Sequence, residues 1–304
     1  MSAPLPPPSP RVSAIIPTLN GAASLPPLLA ALRRAAAACN LEIVAIDSGS
    51  RDGTPALLLS AGAKVLDLGG RPFGHASARN RAAGHARGDV LLFLTQDVEP
   101  VGDGWLTPLL AALSEPGVAG AFGRQLPRGA SPEEAFLAGV NYGERPRRIT
   151  REVLAHPFGP GATLFSNAFG ALRREAWAQL PFPEIVMSED QAWGLAALRE
   201  GWELRYVPAA AVYHGHAFSF GRAFRRNFDS GSSLQTLGLA GGAWGSGLGH
   251  LVRELGWIGG RYGALRAARA GAYEAVRMVG FQLGRLERIL PKGLARRCGE
   301  APRV

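Results

Sequence analysis

Leu91-Leu92-Phe93-Leu94-Thr95-Gln96-Asp97 is an apolar run of strand length that stops abruptly at a polar cluster ending in a carboxylate. A buried strand that delivers an acid to the edge of a sheet is how an α/β fold presents a group for phosphate or metal chemistry. Working outward, two other stretches repeat the event. Val12-Ser13-Ala14-Ile15-Ile16 runs into Pro17-Thr18-Leu19-Asn20-Gly21, and Leu41-Glu42-Ile43-Val44-Ala45-Ile46 runs into Asp47-Ser48-Gly49-Ser50-Arg51-Asp52-Gly53. Three strand ends then present polar groups, the layout of a nucleotide-binding crevice.

Around these runs, strand-like and helix-like patterns alternate: strands at 12–17, 42–47, 64–68, 89–94 and 118–123, with helices at 24–38, 54–61, 75–87 and 104–114 between them. The alternation predicts an α/β fold with a mostly parallel sheet and helices on both faces. Residues 125–162 break the pattern with five prolines and the basic cluster Arg145, Arg147 and Arg148, which predicts an insertion containing a mobile loop. Beyond it come a short strand around Leu164 to Ser166, a helix from Glu189 to Arg199, a strand from Glu203 to Val207 and an extended piece from Val212 to His216. The glycine-rich run from Ser230 to Val252 reads as a loop or surface-lying segment. In the tail from His250 to Leu290, Val276, Val279, Leu283, Leu286 and Leu290 describe an amphipathic helix flanked by Arg277, Arg285 and Arg288, suited to packing on its own domain or to a membrane surface. The Pro-rich residues 1–10 read as an unstructured leader.

With 304 residues and 47% hydrophobic content the chain has material for a sizeable core. Its two cysteines, Cys39 and Cys298, stand in no metal-ligand spacing and point to a reducing compartment. A formal charge of +9 calls for an acidic partner: nucleic acid, an anionic membrane or a phosphorylated substrate.

Each polar cluster has a chemical and a plain reading. Thr18 and Asn20 ahead of Gly21 suit a nucleotide, or a simple turn with Ser24 capping the next helix. Asp47 and Asp52 flank a Ser-Gly-Ser turn, where a carboxylate accepts the imide N–H of a pyrimidine base or serves the turn alone. In Phe73-Gly74-His75-Ala76-Ser77-Ala78-Arg79-Asn80, His75 and Arg79 lie one turn apart at a helix start, facing a diphosphate or solvent. Asp97 must be solvated, paired or metal-bound, and as a lone carboxylate it needs diphosphate oxygens to complete a Mg²⁺ or Mn²⁺ site. In Met187-Ser188-Glu189-Asp190-Gln191, Ser188 and Gln191 fit a capping box; the same first turn keeps a carboxylate ionised for general-base work. His214 and His216 share one strand face, at a spacing for metal or phosphate contact or for two plain surface residues.

In order and at these spacings, the motifs from about residue 11 to 216 resemble the inverting family 2 glycosyltransferases of GT-A fold. Thr95-Gln96-Asp97 takes the place of that family's Asp-x-Asp metal motif. With Phe73-Gly74-His75 leading to Arg79-Asn80, and Phe228-Asp229-Ser230-Gly231 downstream, the chain is similar to the bacterial rhamnosyltransferase branch that uses dTDP-L-rhamnose. The resemblance implies a GT-A, Rossmann-like domain over 11–216 and a C-terminal helical region over 217–304. It implies that Pro17, Thr18, Asn20, Asp47, Ser48 and Asp52 hold the nucleotide, with His75, Arg79, Asn80, Thr95 and Gln96 on the nucleotide-sugar side. It further implies that Asp97 binds Mg²⁺ or Mn²⁺ with His214 or His216, that Asp190 is the catalytic base with Glu189 its competitor, and that Asn167 and Trp193 line the acceptor side.

The partners implied are a nucleotide-sugar donor and a glycan or lipid-linked acceptor of cell-surface polysaccharide synthesis, with no nucleic acid. The expected location is the cytoplasm or the inner face of the cytoplasmic membrane, and a homo-oligomer is compatible with the sequence. Two competing readings stand beside this one: a family 2 enzyme using a UDP- or GDP-sugar, and a non-catalytic polyanion or nucleic-acid binder. The second explains the charge but has no binding motif and leaves the strand-end acids without a purpose.

Overall fold

The computed structural model describes residues 10–37, 39–129, 131–155, 163–215, 219–238 and 243–300, with backbone alone over 243–248 and at 292. Val12–Thr18 (β1), Leu41–Asp47 (β2), Lys64–Asp67 (β3) and Val90–Leu94 (β4) form a parallel half-sheet in the order β3-β2-β1-β4. Leu25–Ala36 (α1), Thr54–Ser60 (α2) and His75–His85 (α3) make the crossovers. Because helices cover both faces, β1 and β4 are buried almost throughout, which is why they read as unbroken apolar runs.

The other half is mixed. After Glu99–Pro100 (β5) and Thr107–Ser114 (α4), Val118–Leu126 (β6) pairs in parallel with Glu203–Tyr213 (β9). Phe169–Arg173 (β8) runs antiparallel between β4 and β6 and joins the halves; the short Arg147–Ile149 (β7) pairs with β9. Pro132–Asn141 (α5), Arg174–Gln179 (α6) and Glu189–Arg199 (α7) are the remaining helices of this part. The sheet separates two cores, one built on α1 and α4 with Leu28, Leu32, Trp105 and Leu109, the other on α3 and α7 with Ala78, Ala82, Trp193 and Leu198.

Several expected elements differ. Leu164 to Ser166 forms no strand; Gln191 binds the Leu164 amide through Oε1 at 3.0 Å and the Phe165 carbonyl through Nε2, while the strand lies five residues later. The pieces expected at 203–207 and 212–216 are one strand with a bulge: Val207 faces Gly123 and Ala211 faces Arg124, so the chain around Pro208, which has no amide proton to give a ladder, is set out of register. The insertion contains a helix, α5, whose Ser131 hydroxyl accepts from the Glu134 amide at 3.3 Å. The expected leader at 1–10, except residue 10, and part of the expected loop, 156–162, lie outside the described residues.

The largest departure is the glycine-rich run. Residues 230–252 belong mostly to two helices, Phe220–Thr236 (α8) and Ala243–Tyr262 (α9), followed by Ala264–Arg285 (α10) and Lys292–Cys298 (α11). Gly263, at φ +87°, divides α9 from α10, so the tail is a hairpin rather than one helix. A Cβ at Gly284 would stand 1.9 Å from the Phe228 carbonyl oxygen, one at Gly280 2.5 Å from that of Phe224, and one at Gly231 2.1 Å from that of Phe281. The α8 and α10 backbones touch, and the buried positions of α10 are Ala270, Tyr273, Gly280 and Gly284, whereas Val279 and Leu286 of the expected apolar stripe are exposed. No helix among the described residues is long and apolar enough to cross a membrane.

Candidate functional site

The carboxyl ends of β1, β4, β6 and β9, the start of α3, the start of α7 and one face of α8 enclose a cavity of about 1130 Å³. Its lining brings together His75, Arg79, Thr95, Asn167, Glu189, Asp190 and His214. Glu189 and Asp190 open α7 after Ser188, which takes a left-handed φ of 65° and makes no side-chain cap. The expected capping box is therefore absent, because Gln191 is turned toward Leu164 and Phe165.

The two acids are set in opposite states. Burial alone would raise the Glu189 carboxyl, but Arg79, 2.9 Å away, and His75 hold it below its usual range, and Asn167 Nδ2 donates to it at 3.1 Å. Asp190 is pushed up to about 6 by burial and then by the neighbouring Glu189 charge; amides of Asn167 (3.2 Å) and Gln191 (2.8 Å) donate to it. A carboxyl near 6 that opens on a cavity is matched to accepting a proton near neutrality. Thr95 Oγ1 and Asn167 Oδ1, both on the lining, are buried without a hydrogen-bond partner among the described residues, polar positions that a bound ligand can satisfy.

Asp97 Oδ1 stands 3.7 Å from His214 Nε2, and His214 Nδ1 lies 2.8 Å from Gln125 Oε1. Burial lowers the His214 imidazole despite Asp97, favouring the neutral ring that can ligate a metal. Gln125 Nε2 in turn donates to Tyr142 Oη and Ser166 Oγ, each at 2.8 Å. His216 lies outside the described residues, and no group of three His, Cys, Asp or Glu side chains among those described could hold an ion by itself.

Other expected residues serve the framework. Asp47 accepts from Thr18, Gly49 and twice from Ser50, and although burial opposes it, these bonds keep its carboxyl below the usual range. Asp52 accepts from the Ala22 amide and from Thr54; Asn20 Oδ1 accepts from the Arg51 amide, and the Ser48 amide donates to the Thr18 carbonyl. Gln96 clamps both main-chain groups of Leu19. These bonds lock the first two strand-end loops; Leu19 is on the cavity's lining, whereas Pro17, Thr18, Asn20, Asp47, Ser48 and Asp52 are not. Asn80 is not on the lining, where it was expected: its amide is used by the Phe182 carbonyl and amide and by the Trp177 indole. Trp193 is likewise off the lining: it is fully buried against Phe165 and Phe182 and donates to the Leu180 carbonyl.

The sequence reading missed Gln125, Tyr142 and Ser166, and also Arg222 and Arg226 of α8. For the two arginines the signal was the Phe228-Asp229-Ser230-Gly231 segment on the same helix.

The model of the family described as "Glycosyl transferase family 2" matches residues 13–180. The chain is 29% identical over 226 residues to the O-antigen chain rhamnosyltransferase RfbN of Salmonella typhimurium, covering 73% of this chain and 71% of that protein. It is 29% identical over 194 residues to the O-antigen chain rhamnosyltransferase WbaN of Salmonella anatum, covering 62% and 61%. The mannosyltransferase PcManGT from Pyrobaculum calidifontis, solved with GDP-Man and Mn²⁺, superposes with a TM-score of 0.62 at 18% identity, over 93% of this chain and 88% of that one. Glucosyl-3-phosphoglycerate synthase from Mycobacterium tuberculosis, solved with Mn²⁺, UDP-glucose and phosphoglyceric acid, gives 0.54 at 20% identity, over 76% and 80%. The α/β architecture is accordingly that of the GT-A glycosyltransferases, and the chain, matched by the family model over more than half its length, belongs to glycosyl transferase family 2.

Proposed function

We propose that the protein transfers L-rhamnose from dTDP-L-rhamnose to a hydroxyl of a glycan or lipid-linked acceptor, with inversion, in cell-surface polysaccharide synthesis. The observation that carries the reaction type is the split between Glu189, held ionised by Arg79, and Asp190, whose carboxyl sits near 6 at the cavity wall. The rhamnosyltransferase relatives support the choice of sugar. In this reading Asp190 takes the proton of the acceptor hydroxyl as its oxygen bonds to the anomeric carbon and the bond from that carbon to the diphosphate oxygen breaks, with its electron pair leaving on the diphosphate. Arg79 and Glu189 hold the start of α7 so that the base faces the cavity.

Asp97 and His214 fit a divalent ion: an oxygen and a neutral nitrogen donor 3.7 Å apart, with Gln125 orienting the ring. Bound there, Mg²⁺ or Mn²⁺ supplies positive charge toward the leaving diphosphate. The exposed Val279, Leu286 and Ile289 beside Arg285 and Arg288 support a surface for anionic membranes, where a lipid-linked acceptor resides. Co-sedimentation with anionic vesicles is expected at low salt and lost at high salt.

Isothermal titration with dTDP-L-rhamnose, UDP-glucose and GDP-mannose, each with and without Mg²⁺ or Mn²⁺, is the test. Selective, metal-strengthened binding of the dTDP sugar is expected. Tighter binding of a UDP or GDP sugar replaces the donor, and binding of none overturns the reading.

A further inference from the structure

α8 lies against the segment that leads into the base: the Met187 amide donates to Ser233 Oγ at 2.9 Å, and Ser188 Oγ lies 3.5 Å from Ser230 Oγ. A nucleophile must come from the side of its base, so this face of α8 belongs to the acceptor's part of the cavity. Here α8 contributes two guanidiniums one helical turn apart, Arg222 and Arg226, both on the lining. Arg222 Nε is 3.3 Å from Glu300 Oε1, and the Glu300 amide donates at 2.9 Å to Asp229, which is wholly buried in α8. Glu300 itself lines the cavity. Arg226 is half-buried and makes no ion pair or hydrogen bond with the described residues; its charge bears on both His75 and His214. Among the described residues, the site thus holds one cation without an ion-pair partner beside a second cation covered by the chain's own carboxylate.

We propose that Arg222 and Arg226 form an anion subsite for a phosphoryl group of the acceptor, and that Glu300 occupies it until that group arrives. Two guanidiniums a turn apart grip phosphate oxygens through several charged hydrogen bonds, whereas a single carboxylate uses one of them. The proposal rests on reading the cavity as the transfer site. It adds that the acceptor is phosphorylated near the hydroxyl to be glycosylated, and that Ile185, Val186 and Met187, on the same lining, offer it an apolar flank.

The test is isothermal titration of inorganic pyrophosphate into the full chain, with dTDP and Mg²⁺ saturating throughout so that the donor side is filled. Glu300→Gln is expected to tighten pyrophosphate by about five-fold or more, and Arg226→Gln to weaken it at least about ten-fold, the scale of one charged hydrogen bond. Arg226→Lys, which keeps the charge, is expected to recover part of the loss. Geranyl diphosphate, tested beside pyrophosphate, tells the sources apart. Tighter binding of the isoprenoid supports a lipid-borne phosphoryl group, and equal binding supports a water-soluble one. Equal pyrophosphate affinity in wild type, Arg226→Gln and Glu300→Gln, or no binding to Glu300→Gln, overturns the subsite. Should dTDP itself not bind while Arg226→Gln still abolishes pyrophosphate binding, the donor reading falls and the subsite stands.

Discussion

Asp190 and Glu189 are chain neighbours with opposite tendencies, and the difference comes from Arg79, 110 residues earlier than Glu189. Asp190→Asn is expected to lower turnover by about 10²- to 10⁴-fold with donor affinity retained, measured by single-turnover transfer and titration. As the proposed base, the raised Asp190 carboxyl has to be ionised, so on that reading the rate should fall as pH drops through about 6. Glu189→Gln removes a charge that raises Asp190, so the acidic limb should move to lower pH in that protein. Replacing Arg79 by Met strands the buried Glu189 charge and should cost about 3–5 kcal/mol of stability in urea unfolding. From the sequence, the acid pair at a helix start was legible, because a first-turn carboxylate after a strand-rich stretch is a local signal. Which acid plays which part was not, since the deciding partner is distant. Asn80 and Trp193 show the same limit: both sit beside true lining residues, but their side chains point into framework and core.

At the scale of elements, strands that end in acids were readable because period and turn chemistry are local, and β1, β2 and β4 form within a residue or two of where they were expected. β8 was missed because Phe169–Arg173 is short, contains Gly170 and runs antiparallel between partners far away in sequence. The helix pair α8 and α10 was obscured for a different reason. Glycines that lower helix propensity in isolation are here the residues that let two backbones meet, so tertiary contact overrides local preference. Gly284→Leu is therefore expected to force α10 off α8, destabilising the protein by about 1–3 kcal/mol or more. A lowered Tm together with weakened pyrophosphate binding would report both the lost packing and the displaced wall.

Across the whole molecule, the C-terminal helices meet the α/β part at an acidic seam. Glu254 of α9 is fully buried, neither carboxylate oxygen has a hydrogen-bond partner among the described residues, and burial, then Glu274 and Glu133, push it up to about 7, with Arg277 opposing. Its folded value lies above the unfolded one, so its contribution is fully present below about pH 4.3 and is lost as pH rises through about 7. Asp190 acts in the same direction, so Tm should decline from pH 5 to pH 8, and Glu254→Gln should flatten part of that decline.

The seat of Glu300 on Asp229 also has a meaning in time. A chain leaves the ribosome amino end first, so β1 to β4 and their loops can settle before α10 reaches α8 or residue 300 closes on residue 229. Stalled nascent chains carried clear of the ribosome on an added linker, one ending near residue 240 and one reaching residue 304, would show this as protease protection of the early strands in both, but of α8 only in the longer. On that order of assembly, a nascent glycosyltransferase sets the strand ends of its α/β part before α8 and Glu300 complete the opposite wall of the cavity, so the pocket is the last part of the molecule to exist.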